Sequence, residues 1–221
     1  MKRFFLFTCL IVLSINLFAQ SFEGKIVFEM SFPDFKDPQM AAMLPKEAVA
    51  YFKNNQSRME MNMMMGMKNA TISDGLKKTS ITLMDLMGQK YAIENNTSND
   101  ADQKKLMEST KVSITSDKKI IAGYMCTKAL VEIPNPENAK ELIKMYMWFT
   151  KDLSINKNYM NGPIEKIDGS VLEFSLNQSG MKINLSAKEV LKQPVSDDLF
   201  LIPTGYKRMS SADLMKMMGG K

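Results

Sequence analysis

The chain has 221 residues, a formal net charge of +5, two cysteines, 22 methionines and no histidine. Without histidine there are no imidazole metal ligands, His-based general bases, Ser-His-Asp triads or Cys-His nucleophiles. The lysines are spread as pairs (Lys77-Lys78, Lys104-Lys105, Lys118-Lys119) among acidic residues, unlike the clustered basic patch of a nucleic-acid binder.

The first segment, "MKRFFLFTCLIVLSINLFAQS", has the plan of a cleaved secretory signal. Lys2 and Arg3 form a charged start, Phe4 to Phe18 an apolar run, and Ala19 a small residue ahead of Gln20. The run falls short of the roughly 20 residues of a membrane-spanning helix. These features predict a signal over 1–19, cleavage after Ala19, and one β-rich periplasmic domain over 20–221. Cys9 would leave with the signal, so Cys126 becomes the single thiol and the fold must rest on its core without an internal disulfide. Loss of Lys2 and Arg3 lowers the charge of +5 by two, to +3. That leaves at most a transient attraction to a membrane surface and no stable transmembrane insertion.

From Ser21 onward the rhythm is period two, the mark of strands with one buried face. In "SFEGKIVFEMSF", Phe22, Ile26, Phe28, Met30 and Phe32 share a face. "FPDFKDPQMAAMLPKEA" reads as a loop with one or two helical turns near 38–48. "AVAYFKNNQSRMEMNMMMGM" predicts a hairpin turning at Asn54-Asn55, and "NATISDGLKKTSITLMD" a second one at Asp74-Gly75. "GQKYAIEN" adds a strand, and 95–110 reads as a polar loop with a short helix. "KVSITSDKKIIAGYMCTKALVEI" predicts two strands turning at Asp117-Lys118, and "ELIKMYMWFTKDL" a strand that is apolar almost throughout. "NKNYMNGPIEKIDGS" is loop. "SVLEFSLNQSGMKINLSAKEVLKQ" is a third hairpin, with Leu172, Phe174 and Leu176 on one side. Asp197-Asp198 reads as the start of a closing strand, "DDLFLIPTGYKRM". "SSADLMKMMGGK" predicts a terminal helix over about 210–218, capped by Ser210 or Ser211, that could lie as a lid over the mouth of the sheet.

About ten strands joined by tight turns predict a mainly β protein, an antiparallel meander that curls strongly or closes. No Gly-rich phosphate loop or dinucleotide fingerprint is present. The expectation is therefore a protein that is not an enzyme and uses no cofactor.

"KKIIAGYMCTKALVEI" followed by "MWFTKDL" resembles an uncharacterised family of secreted bacterial proteins known only as a domain of unknown function. That family is in turn similar to the LolA-like and LppX-like periplasmic lipid and lipoprotein carriers. The residues that carry the likeness are Ile121, Ala122, Gly123, Tyr124, Cys126, Lys128, Trp148, Thr150 and Lys151. The resemblance implies a half-open antiparallel barrel around an apolar cavity, covered here by a few short helices. It implies no catalytic residue, and leaves the role of the cysteine open.

The methionines of "SRMEMNMMMGMK" carry the functional question. In one strand from Arg58 to Lys68, Met59, Met61, Met63, Met65 and Met67 would point one way. Three readings compete: an ordinary core, a soft wall that moulds to a lipid or client protein, and a thioether copper site built on Met61, Met63, Met65 and Met67. Successive same-face residues on a strand lie about 6.6 Å apart, so one ladder cannot converge on one ion without sulfurs from neighbouring strands. Cys126 reads as an inert buried thiol or, less simply, a redox or intermolecular one. Trp148 reads as core or cavity wall.

The function expected is binding of a hydrophobic ligand, a lipid or lipidated protein, in an apolar concavity. Its wall would be Met59, Met61, Met63 and Met65, with Trp148 and Phe174 as further candidates. The alternatives are a Met-rich copper-binding protein and a structural or interaction module of the cell envelope.

Overall fold

A computed structural model describes residues 21–62, 68–86, 88–96, 101–135, 141–155, 163–178 and 181–217. The predicted signal over 1–19 lies outside the described residues. Among these residues twelve strands, where about ten were expected, form one sheet. They are β1 (Gly24–Ser31), β2 (Glu47–Lys53), β3 (Gln56–Asn62), β4 (Lys68–Asp74), β5 (Thr79–Leu86) and β6 (Gln89–Asn96), followed by β7 (Lys111–Ile121), β8 (Tyr124–Pro134), β9 (Leu142–Thr150), β10 (Ser170–Gln178), β11 (Met181–Lys192) and β12 (Lys207–Ser210). Their order across the sheet is β12-β6-β5-β4-β3-β2-β1-β11-β10-β9-β8-β7. Every pairing is antiparallel except β12 with β6, which is parallel.

The sheet curls toward the face that carries Ile26, Phe28, Ala50, Ala129, Met147 and Phe174. Side chains from β1, β2 and β8 to β11 share one core there, although β2 and β8 stand five places apart in the sheet. Phe28 and Phe174 meet edge to face at 6.2 Å between ring centroids. The sheet curls without closing into a barrel, which agrees with the half-open form expected.

Asn54 at φ 54° makes the β2–β3 turn, where the Asn-Asn pair predicted it. Asp74 holds the β4–β5 turn by accepting from the amides of Leu76 and Lys77, both at 3.0 Å. Three expectations are corrected. The chain does not turn at Asp117-Lys118: β7 runs through to Ile121, absorbs the polar stretch as a bulge between Ile114 and Lys118, and turns at Ala122-Gly123. Those two residues have φ 48° and 85°, the left-handed pair that matches strand twist in a two-residue hairpin.

Asp197-Asp198 starts a 3-10 turn over Asp197–Phe200, not a strand, because Ser196 caps it by accepting from the Asp198 amide. Finally, no single strand runs from Arg58 to Lys68. Met61 pairs with Asn69 and Asn62 with Lys68, so the chain reverses between them and the straight five-methionine ladder does not form.

The segment after β11 crosses the reverse face of the sheet as a strap. Val195 and Phe200 pack on Ala70, Ile72, Leu83 and Ala92, forming a second core. The strap is fastened by Lys53, whose Nζ donates to the Val195 carbonyl at 2.9 Å, and by Arg58, whose Nη1 donates to the Leu199 carbonyl at 3.0 Å. It delivers β12 to the outer edge of β6. Among the described residues there are also three short α-helices. α1 (Pro38–Ala41) is one turn, and α2 (Ala101–Ser109) lies against β8 on the connection that runs from β6 to β7 at the far end of the sheet. α3 (Ser211–Met217) follows β12 and lies beside β12 and β6. Ser210 caps it: its Oγ accepts from the Asp213 amide at 3.1 Å and donates to Asp213 Oδ2 at 2.6 Å.

Candidate functional site

Cross-strand register assigns each inner side chain, because directly paired residues share a face. Met61 stands opposite Ala48 of β2 and Asn69 of β4; Met59 stands opposite Ala50 and Thr71. Both methionines therefore lie on the core face. Each is half-buried and packed against the main core, at the border where the inner face changes character. On β1, β2 and β8 to β11 that face is aliphatic and aromatic. Beyond β3 it carries Asn69, Thr71 and Ser73 on β4, then Ser80, Thr82 and Met84 on β5. Ser73 and Ser80 are buried; the other four are half-buried.

Charge is segregated as sharply. The charged residues of β3 to β6 are Arg58, Glu60, Lys68, Asp74, Asp85, Lys90 and Glu94. By register all seven fall on the reverse face, in phase with Ile72, Leu83 and Ala92. A sheet face open only to water ordinarily carries lysine and glutamate, and a closed core carries leucine and valine. The inner face of β4 and β5 is neither. Period-two reading of "NATIS" and "SITLM" finds the alternation, but either phase could face inward. The strap decides it by covering the apolar side.

The other candidate residues separate. Phe174 is 1% exposed on the core face, enclosed by the core and not lining its border. Trp148 pairs with Lys128 and Glu173, which places it on the face opposite Met147 and Phe174, so it does not share a surface with Met59 and Met61. There its ring lies 4.4 Å from Lys119 Nζ and 5.7 Å from Lys128 Nζ. Lys119 is also paired with Glu173 Oε1 at 2.6 Å, and Ser186 Oγ donates to the other carboxylate oxygen at 2.8 Å. No short-range pattern announces this cluster, since its members come from five strands, β7 to β11. Met63, Met65 and Met67 lie outside the described residues.

Cys126 is fully buried. Burial pushes its thiol up to about 11, against the opposing pull of Lys119, so it stays protonated at neutral pH. Among the described residues no group of three or more His, Cys, Asp or Glu could hold a metal ion. Met84 stands across Asn69 from Met61, so the backbones that carry these two side chains are two strand spacings, about 9.6 Å, apart. A shallow pocket of about 210 Å³ is lined by Lys151, Leu153, Ile155, Asp168 and Ser170 at the β9–β10 end, away from β3 to β6.

These features define a curled, open antiparallel sheet with a strapped back and an inner face that is apolar on β1, β2 and β8 to β11, mostly uncharged polar on β4 and β5, and apolar again at Tyr91 and Ile93 of β6. The chain belongs to the family of the domain of unknown function DUF4412, which matches residues 22–206. No curated protein matches it. Among solved structures it is similar to PNGF-II, with 14% identity over 90% of this chain and a TM-score of 0.56. The chain spans about a third of that structure's length, 33%, so the likeness is one of fold alone. It is also similar to the Mycobacterium tuberculosis lipoprotein LppX, with 12% identity, 79% of this chain, 89% of that one and a TM-score of 0.43. That likeness is too loose to carry an argument.

Proposed function

We propose that this chain is an exported, non-enzymatic protein of the bacterial periplasm that binds a hydrophobic ligand, a lipid or a lipid-bearing protein, on the inner face of its curled sheet. The observation that carries the reading is the position of Met59 and Met61. They continue the buried apolar core outward, remain half-buried, and border an inner face that no charged residue of β3 to β6 enters. Flexible thioethers at such an edge mould to chains of varied shape. Affinity comes from removing apolar area from water, about 25 cal/mol per Å² before ordering costs. The signal-like start supports export, and no helix among the described residues is long and apolar enough to cross a membrane.

The test is native mass spectrometry of the mature protein, purified without detergent from the exported fraction of its own host. A lipid-sized adduct that organic solvent strips off is the expected result. A copper-mass adduct that disappears when Met59 and Met61 become leucine overturns the reading. So does a bare protein that acquires no adduct on incubation with vesicles of host lipid.

A further inference from the structure

We infer that the bound molecule is a neutral amphiphile, its acyl chain against Met59 and Met61 and its uncharged polar head on the side chains of β4 and β5. This rests on the hydrophobic-ligand reading above and narrows it to a class of head group.

Three observations carry it. First, Asn69, Thr71, Thr82 and Met84 are half-buried and Ser73 and Ser80 buried on the inner face. Water reaches this surface poorly, yet it holds hydroxyl and amide groups in a regular array. Second, all the charges of β3 to β6 are on the other face of the same strands. A charged head placed on β4 or β5 would be partly desolvated beside no opposite charge, which is costly. An uncharged head exchanges its water hydrogen bonds for those of the half-buried Thr71 and Asn69 at little net cost. Third, the gradient has a direction. Ala48 and Ala50 on β2 lead to Met59 and Met61 on β3, then to Asn69 and Thr71 on β4, each directly paired with the last. A molecule lying across these strands meets apolar surface at one end and neutral polar groups at the other.

The test uses the mature protein with the neutral fluorophore N-phenyl-1-naphthylamine bound, and measures its displacement by three probes of one chain length: 1-monooleoylglycerol, oleate and oleylamine. Monooleoylglycerol is expected to displace it at concentrations about tenfold lower than either charged probe, a difference of about 1.4 kcal/mol. The variants Thr71→Val and Asn69→Leu keep the shape and remove the polar groups. They are expected to bring the three probes within about threefold of one another, each displacement being referred to the fluorophore affinity measured for that variant. Equal displacement by all three on the unaltered protein, or a preference for oleate or oleylamine, overturns the inference and leaves hydrophobic binding standing. Preference for monooleoylglycerol that survives both substitutions also overturns it, because the head then binds elsewhere. Failure to bind the fluorophore and every probe overturns the underlying reading instead.

Discussion

Met59 and Thr71 face each other across the β3–β4 pairing, and between them the inner face passes from apolar to polar. Met59 packs against the core that Ala50 and Ile26 build on its other side. Thr71 continues toward Thr82 and Ile93. The border is thus one strand spacing wide, and the residues flanking it are the ones to alter.

Replacing Met59 and Met61 together by leucine keeps volume and polarity, and such swaps cost under about 1.5 kcal/mol each. The double variant is expected to fold, with its urea midpoint only slightly lowered, and to keep any lipid adduct. Loss of the adduct with the fold intact would show that sulfur, not apolar area, does the binding.

Phe174 is buried to 1% and holds Phe28 edge-on. Phe174→Ala is expected to destabilise by about 3–5 kcal/mol, through lost transfer energy and the cavity left behind. Urea unfolding measures it; a cost below about 1 kcal/mol would mean that the core collapses freely around the site and is not closely packed.

Cys126 ties stability to alkaline pH. Below the ordinary value of 9.0 the thiol is neutral in both states and contributes no pH dependence. Between 9.0 and about 11 the unfolded chain ionises while the folded one keeps its proton, so stability falls over that window. Cys126→Ala is expected to flatten the fall relative to the unaltered protein, read as urea midpoint against pH. The folded thiol is also expected to react with iodoacetamide far more slowly than the urea-unfolded one; equal rates would contradict its burial.

Lys119 joins the Trp148 ring to Glu173. Its ion pair is partly exposed, 38% and 27% for the two side chains, and worth at most about 1 kcal/mol. The cation–π contact adds about 0.5–1 kcal/mol. Lys119→Gln is therefore expected to cost about 0.5–2 kcal/mol and to shift the emission of Trp148, the one tryptophan of the chain. An unchanged spectrum would place the ammonium away from the ring.

Much of the strand framework was legible because burial follows an alternation that sequence displays. Ile26, Phe28 and Met30 recur at period two and are all buried on β1. The hairpin signals at Asn54-Asn55 and Asp74-Gly75 also held, since turn geometry is set by the residues that make it. Where the reading failed, a local signal lost to a longer-range one. Asp117-Lys118 has the composition of a turn, but the pairing of β7 with β8 carries the strand through it as a bulge. Asp197-Asp198 stands next to a strand-like run, yet the strap packs Phe200 into the second core and leaves only Lys207–Ser210 to pair. The methionine run reads as one strand because Met59 to Met67 recur at period two, a rhythm that outweighs the single turn-favouring Gly66.

The sequence by itself determined that this is a mainly β chain, that its core is built without a disulfide, and that histidine chemistry is absent. These follow from composition and short-range periodicity, which need no knowledge of which strands meet. Tertiary structure alone decided which phase of each strand faces inward, because that depends on what covers the other side. The strap over Ile72, Leu83 and Ala92 takes the apolar phase of β4 and β5 and turns their serines and threonines inward. The pairing of β9 with β8 and β10 likewise separates Trp148 from Met59 and Met61, residues that composition alone would have put on one wall. For β4 and β5 the choice is made by a segment more than a hundred residues further along the chain.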